Sequence, residues 1–477
     1  MGTLSTVAAG SDTAVLVMAL AQGESHIVGR SKPTEGYWPS FTYHCTMRSS
    51  PQELEVIRWR GDVLQWVDAG QAQLLRDQVV EVLPDGRFGK VRAPEPGEQV
   101  EHDHRGCLIA PGFVDLHTHY PQIDVIGSPA AGLLAWLEQH TFPCELRFAD
   151  PAVAGDAARS FLAEVLRHGV TSAAVYCTAH PHSVDMLMAE AATLGMALIA
   201  GKSLQDRNSP AGLQDDTETS LRDTETLIRR WHGRGRLRYA ITPRFAPTST
   251  DRQLQGAAAI AAAYPDVVVQ SHVAENRAEL AWVRRLYPED RSYLAVYARF
   301  GLVRRHSIWA HCIHIDDEDR ALLKDCGAVA AVCPTSNAFL GSGHFDFARA
   351  GFPWVLASDV GGGSSFSPFR TMLAAYETAQ VHGVYLSPET LWWHHSCGAG
   401  RALDWDACAQ GIAPEAWADF VVLDPAATPL LHRRWHSARS LEEQLFALTV
   451  LADDRHVRHT VVAGGVCAGT HCRTPGT

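Results

Sequence analysis

The sequence predicts an α/β protein: a (β/α)8 TIM-type barrel with a small β-sandwich domain built from N- and C-terminal segments. Three observations carry this expectation. Eight apolar runs of strand length alternate with stretches of helical periodicity between residues 108 and 360. That is the pattern of a parallel sheet covered on both faces, and eight strands close a barrel. Short strand-and-turn patterns flank this block on both sides, which predicts a second β unit drawn from both ends of the chain. Finally, several runs end in His or Asp, where a parallel barrel builds its active site.

In chain order, residues 1–38 read as an extension to which no function is assigned. The run Ala14-Val-Leu-Val-Met-Ala-Leu-Ala21 imitates a signal-peptide cleavage site, but no Lys or Arg precedes it and it is too short to span a membrane. Residues 39–106 form the first part of the small β domain, with strand-like Leu54-Glu-Val-Ile-Arg-Trp59 and Val79-Val-Glu-Val-Leu83 ahead of the turn Pro84-Asp-Gly86. The barrel covers 107–410. Its eight runs are residues 108–116, 170–178, 196–203, 237–245, 267–275, 307–313, 328–334 and 352–360. Phe161, Leu162, Val165 and Leu166 repeat at helical spacing between the first two runs, and Leu280, Val283, Leu286, Leu294 and Val296 fit helices broken near Pro288. The tail, 411–477, returns to short strands such as Trp417-Ala-Asp-Phe-Val-Val-Leu-Asp424 and His459-Thr-Val-Val-Ala463. An open doubly wound sheet is the competing arrangement. It needs a Gly-rich phosphate turn after its first strand, and here that strand ends in His-Thr-His.

Composition narrows the partners. Hydrophobic content of 46% and charged content of 20% describe a globular, enzyme-sized chain. The net charge of -12 repels phosphate backbones, and no Lys/Arg stripe interleaved with aromatics is present, so a free small molecule is expected, with no nucleic-acid and no membrane partner. Eleven cysteines without a CxxC pair argue against a disulfide framework and for a reducing, cytoplasmic location.

The chemistry starts at Ile109-Ala-Pro-Gly-Phe-Val-Asp-Leu-His-Thr-His119. Residues two apart on a strand share a side, so His117 and His119 can offer two imidazoles to one metal ion. Alone, such a pair is a weak signal. Its company strengthens it: the fifth run ends in His272 with Glu275 three residues on, the sixth in His311, and the eighth in Asp359 before Gly361-Gly-Gly363. Singly, each is explained by a core imidazole or a helix cap. Together, at the ends of the right strands, they predict a mononuclear site of His117, His119, His272 and Asp359 with room for a water. Glu275 is then placed as proton carrier, Asp359 as both ligand and proton acceptor, and His311 as the group that orients the nucleophile or polarises the bond under attack. The fourth run ends in Arg244 and Phe245 without a lysine, and Lys202 lies at the end of the third, so the bridging lysine of a two-metal barrel has no donor at that mouth. Arg244 suits a substrate carbonyl oxygen, Phe245 the face of a flat heterocycle, and the Gln122 amide its edge. The plainer alternative for the first two is a surface salt bridge and a packed aromatic.

Pro111-Gly-Phe-Val-Asp-Leu-His-Thr-His119, Gln270-Ser-His272, Ala310-His311 and Ser358-Asp359 resemble the amidohydrolase superfamily. Within it, seven blocks are similar to the guanine deaminases: Tyr120-Pro-Gln122, Trp136-Leu-Glu-Gln-His-Thr-Phe-Pro143, Gly201-Lys-Ser-Leu-Gln-Asp-Arg-Asn208, Thr242-Pro-Arg-Phe245, Gln270-Ser-His-Val-Ala-Glu-Asn-Arg277, Cys333-Pro-Thr-Ser-Asn337 and Asp359-Val-Gly-Gly-Gly-Ser-Ser-Phe-Ser367. The resemblance spans about residues 107 to 410. It implies hydrolytic deamination of guanine to xanthine and ammonia in purine catabolism, by a homodimer whose partners are guanine and water. It further implies one Zn2+ per chain on His117, His119, His272 and Asp359. Catalysis falls to Glu275, Asp359 and His311; Gln122, Arg244 and Phe245 hold the purine, with His272, Glu275 and Asp359 also facing it. Two departures stand out: Lys-Ser-Leu-Gln after Gly201 in place of a Cys-Met-containing variant, which would adjust the pocket wall, and no Gly-Lys pair before Ala418-Asp-Phe. The rivals are a related aminohydrolase or halohydrolase acting on a pterin, an oxidised purine or a triazine, differing around Gln122 and Arg244, and a catalytically silent scaffold, against which the intact ligands and Glu275 count.

Overall fold

The computed structural model describes residues 55–469. The expected extension over 1–38, the apolar run 14–21 and the start of the first β segment lie outside the described residues. Among the described residues the first strands are β1 (Ile57–Asp68), β2 (Gln71–Val82), β3 (Phe88–Arg92) and β4 (His102–Pro111). The barrel strands follow: β5 (Phe113–His119), β6 (Val170–Tyr176), β7 (Ala197–Gly201) with its two-residue continuation β8 (Ser203–Leu204), β9 (Leu237–Pro243), β10 (Val268–Val273), β11 (Ser307–His311), β12 (Val329–Val332) and β13 (Trp354–Leu356). Last come β14 (Phe420–Leu423), β15 (Val457–Val462) and β16 (Gly465–Gly469).

The strands from β5 to β13 pair in parallel in the order expected of eight runs. Closure is made just past β13, where Asp359 N–H donates to the His117 carbonyl at 2.8 Å and His119 N–H to the Val360 carbonyl at 2.5 Å. Alternate side chains sort into two layers. Val114, Leu116, Ala174, Ile199, Val268 and Val329 fill the interior, whereas Val175, Leu198 and Val269 pack outward against the helices. The interior is thus a packed core, and a site can open only at its mouth. Among the crossovers, the helix Pro151–Arg167 buries Phe161, Leu162, Val165 and Leu166 and is capped by Asp150, whose side chain accepts from Ala152 N–H. The helices Arg277–Leu286 and Tyr293–Arg299 flank the expected break at Pro288.

Two expectations are corrected. The first run, 108–116, is not one strand of the barrel. It divides at Gly112, with β4 on one side in the small sheet and β5 on the other in the barrel. A Cβ at Gly112 would lie 2.1 Å from Thr171 Oγ1, so only glycine lets the backbone pass there between the sheets. The tail, expected to hold short strands, also carries the helices Pro429–Ser437 and Leu441–Leu451. Leu445 and Leu448 are buried, the Phe446 ring lies 4.7 Å from that of Tyr376, and Trp392 Nε1–H donates to Thr449 Oγ1 at 3.0 Å, which docks the second helix on the barrel's outer layer.

The remaining strands form one seven-stranded sheet, β16-β15-β14-β4-β1-β2-β3, drawn from both ends of the described chain. Its core includes imidazoles. Trp59 stacks on His102 at 3.7 Å between ring centroids, and His104 lies 4.9 Å from His459. Burial, reinforced by neighbouring His459, Arg458 and His102, pulls His104 down to about 3; burial and the charges of His102 and Arg458 pull His459 down to about 4. These groups bind a proton more readily unfolded, near pH 6.5, than folded. Their stabilisation is complete above about pH 6.5 and is lost as pH falls towards 4. Chemical denaturation at pH 7 and pH 5 is expected to show lower stability at pH 5, with a smaller difference in His104→Phe; an equal difference would remove His104 from the effect.

Candidate active site

The site begins at β5, whose period of two turns His117 and His119 inward together, with Nε2 atoms 3.3 Å apart. His272 on β10 brings its Nε2 to 3.2 Å from His119 Nε2, while its Nδ1–H donates to the Arg244 carbonyl at 2.6 Å. That hydrogen bond fixes the tautomer and leaves the inner nitrogen a lone pair. Asp359, three residues past β13, sets Oδ1 3.1 Å from His117 Nε2 and 3.2 Å from His119 Nε2. The tight turn behind it depends on glycine: a Cβ at Gly361 would lie 2.5 Å from the Gln122 carbonyl oxygen and one at Gly363 1.8 Å from that of Ser358.

These four donors fit a metal ion. Neighbouring ligand atoms in a tetrahedron with bonds of 2.0–2.1 Å stand about 3.3 Å apart; the pairs His117–His119, His119–His272, His117–Asp359 and His119–Asp359 stand 3.1 to 3.3 Å apart, and all four donors lie within 4.8 Å of one another. Lone pairs of three buried imidazoles facing one another cannot all be satisfied by shared protons, and a cation resolves the conflict. A His3Asp set of this size suits zinc and similar divalent ions. A second set, His117, His311, Cys333 and Asp359, also lies within 4.8 Å, but burial holds the Cys333 thiol well above its usual range and so in its weakly ligating neutral form.

Glu275 stands two residues beyond β10. Its Oε1 accepts from Ser342 Oγ at 2.9 Å and its Oε2 is 3.4 Å from His311 Nε2. Within the protein alone, burial pushes Glu275 up to about 7, against the pull of His311 and with the help of Glu279 and Asp359. Burial also opposes ionisation of Asp359, but His117, His119 and His311 outweigh it and hold Asp359 well below the usual carboxylate range. His311, anchored by Nδ1 2.9 Å from Asn337 Oδ1, is raised because Glu275 and Asp359 overcome its burial. The strand ends that deliver these groups are strained: Ala274, His311, Cys312 and Asp359 have φ of 52°, 72°, 51° and 51°.

Gln122, Arg244 and Phe245 form a polar and aromatic wall over this floor, and Leu133 and Trp136 roof it. The cavity measures about 420 Å3, including the part open to solvent. Of the sequence-derived residues, all but His117 line it, and His117 lies directly beneath, against Asp359. Arg244 lines the pocket, and its salt bridge is not at the surface: the guanidinium is buried in a bidentate pair with Glu145, at 2.5 and 2.9 Å. Lys202 does not shape the pocket wall; its Nζ is buried against Asp215 at 2.6 Å and Ser220 at 3.1 Å.

Sequence reasoning missed Glu145 and Glu279. Glu145 lies two residues past the quoted block ending at Pro143 and carries no local signature. Glu279 has one, the capping box Asn276-x-x-Glu279. Its Oε2 accepts the N–H groups of Glu275 and Asn276 at 3.1 and 3.2 Å, and its Oε1 the Tyr293 hydroxyl at 2.8 Å, which seats the Glu275 backbone.

Residues 108–467 match the amidohydrolase family. The chain is 40% identical to guanine deaminase of Escherichia coli strain K12 over 394 residues, covering 82% of this chain and 89% of that protein. The solved structure of E. coli guanine deaminase superposes with a TM-score of 0.84 at 36% identity, covering 87% of this chain and 100% of that one. The structure of guanine deaminase from C. acetobutylicum with bound guanine in the active site superposes with a TM-score of 0.79 at 27% identity, covering 87% and 100%.

The donor geometry carries a direct test. His272→Ala is expected to weaken metal binding by more than the roughly 10- to 100-fold that loss of an outer hydrogen bond brings, read by metal content after dialysis against a buffered zinc solution. Unchanged metal content would remove His272 from the ligand set.

Proposed function

The chain belongs to the amidohydrolase family, and on that premise we propose that it hydrolyses guanine to xanthine and ammonia at one zinc ion. The observation that carries this is the meeting, at one mouth, of a floor of His117, His119, His272 and Asp359 donors within 4.8 Å of one another, Glu275 beside it, and a wall of Gln122, Arg244 and Phe245. We place the enzyme in purine catabolism, in keeping with its similarity to guanine deaminases, and propose a cytoplasmic homodimer; the eight described cysteines other than Cys467 are free thiols, which suits a reducing compartment.

His117, His119, His272 and Asp359 would hold the zinc, which supplies water activation at neutral pH and charge to steady the developing tetrahedral carbon. Gln122 and Arg244 bind the oxo edge of the purine, and Phe245 lies against its ring, so that the amine-bearing carbon meets the attacking oxygen. Glu275, raised to about 7, takes a proton from the water and delivers it to the ring nitrogen next to that carbon. A carboxyl near neutrality serves both halves of this transfer. His311 Nε2, 3.4 Å from Glu275 Oε2, orients the attacking oxygen. Asp359 accepts the second proton and passes it to the amine. The carbon–oxygen bond forms, the carbon–nitrogen bond breaks, and ammonia leaves with one proton of the water while the other stays on the ring nitrogen of xanthine.

A pterin or triazine hydrolase would share the floor and differ at Gln122 and Arg244, so both residues standing in one wall favour the oxopurine. A silent scaffold would have no use for Glu275 held buried beside an intact ligand set.

Ammonia release from metal-quantified protein, offered guanine, adenine, a pterin and an oxidised guanine, is expected to be fast on guanine. Release from another ring only would overturn the roles of Gln122, Arg244 and Phe245, and silence on all would overturn the activity. Glu275→Gln should keep its metal and lose about 100-fold or more in kcat, whereas His117→Ala should lose both. Equal metal loss in the two variants would contradict the division between proton carrier and ligand.

A further inference from the structure

The polar wall of the pocket rests on a single buried carboxylate. Glu145, 2% exposed, sits in the helix Phe142–Leu146, between β5 and β6. Its Oε2 accepts from Arg244 Nη1 at 2.5 Å, and its Oε1 accepts from Arg244 Nη2 at 2.9 Å and from Gln122 Nε2 at 3.1 Å. We propose that Glu145 is the positioning residue that sets the selectivity of the pocket, by fixing the pattern of donors and acceptors that Gln122 and Arg244 show to the oxo edge of an oxopurine. This rests on the function proposed above.

The Gln122 amide has two ends of similar shape and opposite hydrogen-bonding sense. Here its Nε2 is committed to Glu145, and its Oε1 receives the Gly361 N–H at 3.3 Å. Turned over, it would set its oxygen against a carboxylate and lose both bonds. What remains for a ligand is one N–H and one lone pair, each in a set direction. Arg244 is held in the same way. The fork fixes the plane of the guanidinium, and the Phe142 ring, from the same helix as Glu145, lies 5.4 Å from its Cζ. Two N–H groups are spent on the carboxylate, and the rest stay available.

Charge follows from the same pair. A free arginine over the metal floor would favour an anionic substrate, such as a carboxylate or phosphate. Paired with Glu145 inside the protein, it contributes directed donors and no net charge. A wall of this kind recognises a neutral oxo-heterocycle by the positions of its acceptors. It disfavours an aminopurine such as adenine, which presents a donor where the oxo group would stand.

Glu145 is also secured independently of its carboxylate. Cys144 Sγ–H donates to the Pro121 carbonyl at 3.1 Å, and Arg147 pairs with Asp124 at 2.9 Å, which ties the helix to the turn Tyr120–Val125. Glu145→Gln is therefore expected to fold with its metal site intact, while its new N–H group opposes the donors of Arg244 and Gln122.

The test compares wild type and Glu145→Gln by steady-state kinetics on guanine and adenine, zinc content, and equilibrium binding of xanthine. The expected result is a KM for guanine and a Kd for xanthine raised about 10-fold or more, kcat changed far less, unchanged zinc, and a guanine-to-adenine ratio of kcat/KM reduced at least about 10-fold. Should Glu145→Gln not accumulate folded, Glu145→Asp, which keeps the charge and shortens the reach, carries the same comparison with a smaller loss. Equal loss of kcat/KM on both purines, or xanthine bound as tightly as by wild type, would overturn the proposal and leave the function standing. A wild type that binds neither guanine nor xanthine would overturn both.

Discussion

The joint between the first and last barrel strands is the constraint on which the site depends. Two backbone hydrogen bonds, from Asp359 to His117 and from His119 to Val360, close the barrel at the point where the candidate metal ligands sit. The Asp115 side chain adds a clasp, with Oδ1 accepting from Ser358 N–H at 3.1 Å and from His117 N–H at 3.2 Å, and Oδ2 from the Ser358 hydroxyl. The residues bonded to this clasp are the metal-ligand candidate His117 and the neighbour of Asp359. The bonds that complete the sheet therefore also set the distance between an imidazole pair and a carboxylate. Burial pushes Asp115 up to about 6, a sign of how much the dry interior opposes its charge and how much those hydrogen bonds offset.

The same low-dielectric floor separates two carboxylates that begin chemically alike. Asp359 is surrounded by imidazoles and held ionised; Glu275 has one imidazole, a hydroxyl and two further carboxylates near it, and is raised towards neutrality. One is suited to hold a cation and the other to carry a proton, and the difference comes from neighbours alone. Glu279 sustains it from behind: it adds negative charge near Glu275 while its hydrogen bonds to the N–H groups of Glu275 and Asn276 keep the carboxyl beside His311.

Most of the floor was legible in the sequence because it is written in strand periodicity. A spacing of two puts His117 and His119 on one side of β5, and an apolar run ending in His or Asp marks the mouth of a parallel barrel. The break at Gly112 was not legible, since an apolar strand leaving one sheet looks the same as one entering the next, and the Thr171 side chain that forces the crossing lies far along the chain. The tail helix Leu441–Leu451 did carry a signal: the Ser440 side chain accepts from Glu443 N–H, in a Ser-x-x-Glu start. Glu145 had none. Its partner Arg244 is 99 residues away, and a glutamate in a short helix reads as solvated until the fold buries it against that guanidinium.

Floor and wall come from different parts of the architecture, and this has a consequence for how selectivity is built. The floor donors stand on or just beyond strand ends and are fixed by barrel closure. Most of the wall comes from the excursion between β5 and β6, which supplies Gln122, Leu133, Trp136 and Glu145 and meets the barrel at Arg244. The excursion meets the floor at two joints. One is Gln122, whose Oε1 receives the N–H of Gly361, two residues past Asp359. The other is Arg244: its carbonyl accepts the His272 Nδ1 proton, which leaves the inner nitrogen of that imidazole a lone pair, while its side chain, paired with Glu145, lines the pocket. A change in the wall therefore reaches the floor through these two contacts.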